Sequence, residues 1–355
     1  MKKNLVLLPL LATLITSCSV VEHYKDPYRG RRIVPDVITE KVKHDTDDPA
    51  IWHHPTQASG SLVVGTDKAT DGGLFVFDLE GKIVKRIEGL RRPNNVDVAY
   101  GIPFGGKRVD IAVTTERQAN QLRVYRMPSM EEIGVIPVFE GEQERSPMGI
   151  ALYTSQESGI VYAVVGRKSG PSGTYLWQYA LVEKDGRLVG ELVRQFGAYS
   201  GKKEIEAIAV DNEQGYVYYS DEQFGIRKYH ADPAKGNAEL AVFGSNDFRE
   251  DMEGISIYKS EEGKGYILVS NQQANTFNVY RREGDRGEPH RHSRIAELPL
   301  STKFSDGSEV SNRAFGTRFP KGFFVAMSEG RVFHYYDWRK LEAEIKKQLE
   351  TVSPE

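Results

Sequence analysis

Three carboxylates, Asp45, Asp47 and Asp48, stand within four residues, directly ahead of the apolar strand start Ala50-Ile51-Trp52. Carboxylates fixed this close repel one another, so a fold that holds them at a strand mouth needs a cation to offset the repulsion. The same pattern, a polar cluster running into a short β segment, recurs along the chain. Ahead of later strand starts stand Asn95 and Asp97, then Glu206, then Asp251 with Glu253. After the partner strands stand Lys68, Arg117, Arg167 with Lys168, Asp221 with Glu222, and Gln272 with Gln273. This second set begins as a basic arc and continues as an acidic one. Converging carboxylates suit a hard cation such as Ca2+, which takes about six to eight oxygen ligands. A facing basic arc suits an anion with several oxygens. A polyanion held between metal ions and Arg or Lys is the arrangement phosphoryl chemistry needs, because catalysis there is largely positioning and charge neutralisation.

The elements that must position these groups are short, β-branched and aromatic runs separated by Gly, Asp and Asn turns, which is an all-β pattern. Strand starts recur at Ala50-Ile51-Trp52, Val96-Asp97-Val98, Gly149-Ile150-Ala151-Leu152, Ala207-Ile208-Ala209-Val210, Gly254-Ile255-Ser256-Ile257 and Ala314-Phe315-Gly316. Each is followed by a second strand, as at Leu62-Val63-Val64 and Ile111-Ala112-Val113, and most by a third, as at Leu74-Phe75-Val76-Phe77. The period is roughly 50 residues, the signature of a β-propeller, and six copies fit. The expectation is therefore a single six-bladed β-propeller over residues 37–355. Trp338, Leu341, Ile345 and Leu349 fall at helical spacing, so a short amphipathic helix should close the chain.

At 355 residues the chain can bury a large core, and 27% charged residues with a net charge of −3 suggest neither disorder nor a nucleic-acid-coating surface. No nucleic-acid partner is expected, and a monomer is. Residues 1–18 read as a targeting segment: Lys2 and Lys3, then an apolar stretch from Leu5 to Ile15 too short to span a bilayer, then Ile15-Thr16-Ser17-Cys18. That ending resembles the lipobox of bacterial lipoproteins, in which the cysteine is acylated. The implied location is the bacterial cell envelope, with membrane contact only through the lipid anchor and residues 19–36 as a tether. Cys18 is the single cysteine, so there is no intramolecular disulfide and no thiolate metal site.

Longer motifs carry a further resemblance. Asp47-Asp48-Pro49-Ala50-Ile51-Trp52, Gly73-Leu74-Phe75-Val76-Phe77-Asp78-Leu79-Glu80-Gly81-Lys82, Asn94-Asn95-Val96-Asp97 and Asp251-Met252-Glu253-Gly254 follow one another as they do in the β-propeller phytases. These are calcium-dependent phosphatases acting on inositol hexakisphosphate, and the likeness runs from about residue 40 to 330. The resemblance implies that Asp48, Asn95 and Asp97 help hold calcium in the scaffold. It implies that Glu206, Glu222, Asp251 and Glu253 hold several catalytic calcium ions, with Asp47, Asp221, Gln272 and Asp306 also in the ligand set. Lys68, Arg117 and Arg167, with Lys168, would grip substrate phosphates, and a calcium-activated water would attack phosphorus. Three positions depart from the family pattern: Met148 where a tyrosine is common, Ala69 in place of a second lysine, and a thinned acidic stretch at Ser305-Asp306-Gly307-Ser308-Glu309.

Other chemistries find little support. No Gly-x-Ser-x-Gly elbow, phosphate-binding loop or dinucleotide fingerprint occurs; His53-His54 has no third nitrogen ligand at zinc-site spacing and reads as a strand-end turn, and His290-Arg291-His292 lies in a Gly-, Arg- and Glu-rich loop. Two alternatives remain open: a calcium-dependent lactonase, which needs a metal pocket but no basic arc, and a non-catalytic surface lipoprotein that binds an anion.

Overall fold

The computed structural model describes residues 26–260 and 263–352, so the lipobox at Cys18 lies outside the described residues. After a two-residue strand, β1 (Val37–Ile38), the chain runs as successive antiparallel meanders. The first contains β2 (Thr46–Trp52), β3 (Leu62–Asp67), β4 (Gly72–Phe77) and β5 (Ile83–Leu90). The second contains β6 (Pro93–Phe104), β7 (Lys107–Glu116), β8 (Gln121–Met127) and β9 (Glu131–Pro137). The third contains β10 (Pro147–Thr154), β11 (Val161–Arg167), β12 (Leu176–Lys184) and β13 (Arg187–Phe196). Next come β14 (Ile208–Asp211), β15 (Tyr216–Asp221), β16 (Gly225–His230) and β17 (Glu239–Phe243). They are followed by β18 (Met252–Lys259), β19 (Gly265–Asn271), β20 (Thr276–Arg281) and β21 (Arg294–Leu298). Finally come β22 (Ser308–Ser311), β23 (Phe323–Ser328) and β24 (Val332–Asp337), and the helix α1 (Trp338–Val352).

The strands β2, β6, β10, β14, β18 and β22 touch in that order, and β22 returns to β2, closing a ring in a propeller-like arrangement. Alternation explains why the ring holds. In β3, Val63 joins the core with Phe333 and Tyr335, while its neighbour Val64 joins the core with Val96 and Ala112. Successive side chains thus face opposite sheets, and a strand buried on both faces is apolar throughout. β1 adds to the edge of β24, pairing Val37 with Tyr335, so an early strand and the last one share a sheet.

Three features differ from the sequence expectation. The second and third meanders are not separate sheets. One parallel pair, Leu188 with Gly134, joins them into an eight-stranded sheet, and the missing side chain at Gly134 is what lets the Leu188 backbone approach. The innermost strand of the last meander is Ser308–Ser311, not the segment at Ala314-Phe315-Gly316. Glu309 interrupts the apolar run there, and Phe315 instead packs into the core from a loop bridge to Phe319. Residues 26–36, expected as part of a tether, are docked. Ile33 bridges to Leu300, and the Arg32 guanidinium donates to the Leu300 carbonyl (2.8 Å) and pairs with Asp26 (2.9 Å). The helix is as expected in its buried face: Trp338, Leu341 and Ile345 are fully buried, and Trp338 stacks on Tyr258 at 3.6 Å.

Candidate active site

Four of the six innermost strands, β2, β6, β10 and β18, share a local irregularity. In β2 the register steps from Thr46 to Pro49 while its partner moves only from Asp67 to Gly65. The same three-against-two step occurs between Pro93 and Val96, between Pro147 and Ile150, and between Met252 and Ile255. Each is a β-bulge, a device that re-aims side chains and is common beside active sites. The residues in the bulges are Asp47-Asp48, Asn94-Asn95, Met148-Gly149 and Glu253-Gly254. Glu206 and Asp306 stand just ahead of β14 and β22. Gly307 is required by close approach, because a Cβ there would fall on the Asp48 carboxylate. Since Thr46 pairs with Asp67 and Met252 with Asn271, the starts of the inner strands lie beside the ends of their partners, at one mouth of the ring.

At that mouth the carboxylates converge. One oxygen from each of Glu204, Glu206 and Glu222 lies within 4.8 Å of the others, and the same holds for Glu222, Asp251 and Glu253. Glu222 belongs to both groups. Asp47 joins them through Asn94, whose Nδ2 donates to Asp47 Oδ2 (2.9 Å) and also to Glu206. Lys68 Nζ lies 2.9 Å from Asp47 Oδ1 and pairs with Asp306 as well. Gln272 donates to Asp306, and Gln273 Nε2 donates to Asp251 Oδ2 (2.8 Å). Burial first, then Asp306, pushes the Glu206 carboxyl up to about 7, against the pull of Lys68. Burial likewise lifts Glu222 to about 7 even with Lys203 opposing it. Burial, with Glu222 and Glu206, raises Glu253 well above the usual range, and burial does the same to Asp47. Burial acts on Asp251 too, but Lys203 and Gln223 outweigh it and hold that carboxyl low. Carboxylates raised by burial and by one another are only partly compensated by Lys68 and Lys203. Glu253 Oε2 and Glu222 Oε1 are buried without a hydrogen-bond partner among the described residues, so the residues fit a hard, oxygen-seeking cation.

The basic arc divides by strand alternation. Lys68, Arg117, Lys168, Glu222 and Gln272 each follow the last residue of a second strand and face the mouth. The residue before each, Asp67, Glu116, Arg167, Asp221 or Asn271, is buried. This corrects two expectations. Arg167, expected to grip phosphate, is 0% exposed; its guanidinium donates to Glu142 (2.9 Å) and to the Glu144 and Thr174 carbonyls, and packs over Phe139. Asp221, expected as a metal ligand, is held by Arg227 (2.8 Å) and by the Ser200 backbone N–H and hydroxyl. Lys168 does reach the mouth and pairs with Glu204. Arg117 is half-buried, has no ion-pair partner among the described residues, and feels Glu204, Glu206 and Asp47. Burial and the adjacent Arg92 lower its pKa from the ordinary arginine value.

Asp48, Asn95 and Asp97 separate from this cluster. They line a channel cavity of 520 Å³ together with Glu309. Asp48 Oδ2 accepts from the Val96 N–H (3.1 Å), and Asp97 accepts from the Val98 and Leu152 N–H groups (2.6 and 2.7 Å), tying β6 to β10. Burial raises Asp97 to about 6 and, with Asp97 nearby, Glu309 to about 8. Met148 is buried, and its carbonyl accepts from Thr115 Oγ1 (2.7 Å), so that bulge offers no hydroxyl to a ligand.

Sequence reasoning missed Asn94, Glu204, Arg92 and Lys203. Asn94 was discoverable, since Asn94-Asn95 occupies the place of Asp47-Asp48 in the repeat. Lys203 and Glu204 lie in a charged run, Lys202-Lys203-Glu204, that reads as solvated surface until the loop folds back. Arg92, at the left-handed φ of 59° with a buried, unpartnered Nε, has no sequence signal.

Similarity to known proteins fits this geometry. The family described as Phytase matches residues 3–334. A 3-phytase of Bacillus subtilis (strain 168) is 31% identical over 328 residues, 88% of this chain and 82% of that protein. Among solved structures, the Kuenenia stuttgartiensis hydrazine synthase superimposes with a TM-score of 0.52 at 13% identity, covering 81% of this chain and 82% of that one, which is a likeness of fold alone.

Proposed function

The chain belongs to the phytase family, and from that premise we propose that it is a phosphoric monoester hydrolase removing phosphate from phytate, with calcium held at the carboxylate mouth. The observation that carries this reading is the coincidence of buried carboxylate oxygens on Glu222 and Glu253 with the guanidinium of Arg117 beside Glu206, none of which has a hydrogen-bond partner among the described residues. Glu206, Glu222, Asp251 and Glu253 would hold the ions, with Asp47 and Asp306 at their edge. Calcium bound there would supply Lewis acidity and a more acidic water. The chain's own groups do the positioning. Arg117 presents a fork of donors matched to phosphate oxygens, and Lys68 and Lys168 add point charges that can leave their carboxylate partners for a more highly charged anion. Gln272 and Gln273 orient Asp306 and Asp251.

We read the architecture as six-bladed, dividing the eight-stranded sheet at its single Leu188–Gly134 pair; the six inner strands that touch in a ring support that division. The lactonase alternative has no use for Arg117, and no observation favours it. The test of function is phosphate release from phytate by chelator-stripped protein, with and without added calcium. Release that appears only with calcium is expected; binding of phytate without release at any calcium level would favour the non-catalytic alternative.

We further propose that the protein acts as a monomer anchored to the bacterial envelope through acylated Cys18. Several acyl chains give stable anchoring where one is marginal. Cys18→Ala should move the protein from the membrane fraction to the soluble one, and unchanged partition would refute the anchor.

A further inference from the structure

Lys203 stands where a bound cation would stand. Its Nζ lies 2.6 Å from Glu222 Oε2, 2.8 Å from Asp251 Oδ2 and 3.8 Å from Glu253 Oε1. Those three carboxylates can each offer an oxygen within 4.8 Å of the others, a spacing one ion can bridge. The ammonium cannot satisfy them. One positive charge faces three carboxylates, and Glu253 Oε2 and Glu222 Oε1 stay unpartnered on side chains only 5% and 0% exposed. Lys203 itself is 34% exposed and comes from the loop between β13 and β14, where the Tyr199 hydroxyl donates to its carbonyl. The backbone is therefore fixed while the flexible four-carbon stem has a path to solvent.

We propose that Lys203 is a tethered counter-ion that holds Glu222, Asp251 and Glu253 together without metal and must withdraw for a divalent cation to enter. This rests on the reading of the cluster as a cation site, and it adds a competitor built into the chain. Lysine and metal exclude each other because they need the same space and the same oxygens. The apparent affinity for metal is reduced by the fraction of time the lysine is in place. The tether keeps the acidic cluster compensated when calcium is scarce and makes metal loading an exchange of one cation for another.

Two measurements on the full-length protein test this, and neither reads activity. Isothermal titration of calcium into chelator-stripped Lys203→Met should show one site tightened by about tenfold or more relative to wild type. Lys202→Met, which removes an exposed ammonium bonded to the Gln223 carbonyl (2.9 Å), should leave that site unchanged. In the unaltered protein, reductive methylation mapped by mass spectrometry should modify Lys203 faster in calcium than in chelator. An unchanged or weakened site in a folded Lys203→Met protein would overturn the exchange, as would equal methylation in both conditions. If Lys203→Met fails to fold, the methylation result decides alone. If wild-type protein binds no calcium at all, the cation-site reading fails together with the exchange, and that outcome is distinct from binding that ignores Lys203.

Discussion

Glu222→Gln should lower kcat on phytate by about a hundredfold or more, the scale of losing a preorganised charge at a reacting centre, while leaving the metal-free fold no less stable. The reason is position. Glu222 belongs to both carboxylate groups at the mouth and is fully buried, so one substitution weakens both candidate ion sites. The stability half follows from sign. Burial lifts its folded carboxyl to about 7, against an ordinary value of 4.5. A carboxyl raised on folding binds its proton better in the folded state, so its contribution favours the fold at low pH and is lost as pH rises through about 7. At pH 8 without metal the ionised Glu222 is therefore a cost to the fold, and a neutral glutamine removes it. Calcium reverses the ranking, because an ion that binds only the folded state stabilises it by mass action, and the wild type binds more. Melting curves at pH 8 should thus show Glu222→Gln at or above wild type in chelator and below it in calcium. A variant that melts lower in chelator and keeps its kcat would make Glu222 a structural residue.

The contrast between Glu222 and its neighbour Asp221 marks what the sequence could and could not disclose. Strand starts were legible because alternating apolar runs bounded by turns have few other readings, and so was the order of polar clusters at their ends. The direction of each polar residue was not. Asp221 and Glu222, or Arg167 and Lys168, are adjacent in sequence, yet one of each pair ends its strand buried and the next reaches the mouth. Which is which depends on where a strand's last ladder pair falls, and a one-residue difference there exchanges the two. The inner-strand bulges hide a similar choice: they separate Asp47, which joins the mouth, from Asp48, which turns to the channel. Lys203 was invisible for another reason. Its partners lie 19, 48 and 50 residues away, so only the folded loop brings them together.

The same alternation makes two arginines that looked alike in sequence fail in opposite ways. Arg117→Ala should cost about ten- to a hundredfold in kcat/KM on phytate, the range expected when a charge-assisted contact worth roughly 1.5–3 kcal/mol is removed. Part of the loss should appear in KM, because a guanidinium without an ion-pair partner meets phosphate already in the ground state. Excess calcium should not restore it, since no calcium ligand has been lost. The fold should be indifferent or slightly steadier, because Arg92 lies close enough to repel Arg117. Arg167→Met should do the reverse. Its guanidinium is fully buried, paired with a partly exposed Glu142 and bonded to two carbonyls, and leaving such acceptors without a donor costs about 1–3 kcal/mol. That loss belongs to the β10–β13 meander, so folded Arg167→Met should keep a wild-type KM while unfolding at lower urea. Steady-state kinetics and urea titration of both variants separate the two roles. An Arg167→Met protein of normal stability with a raised KM would return Arg167 to the phosphate arc, and an Arg117→Ala protein with unaltered kinetics would empty that arc of its central member.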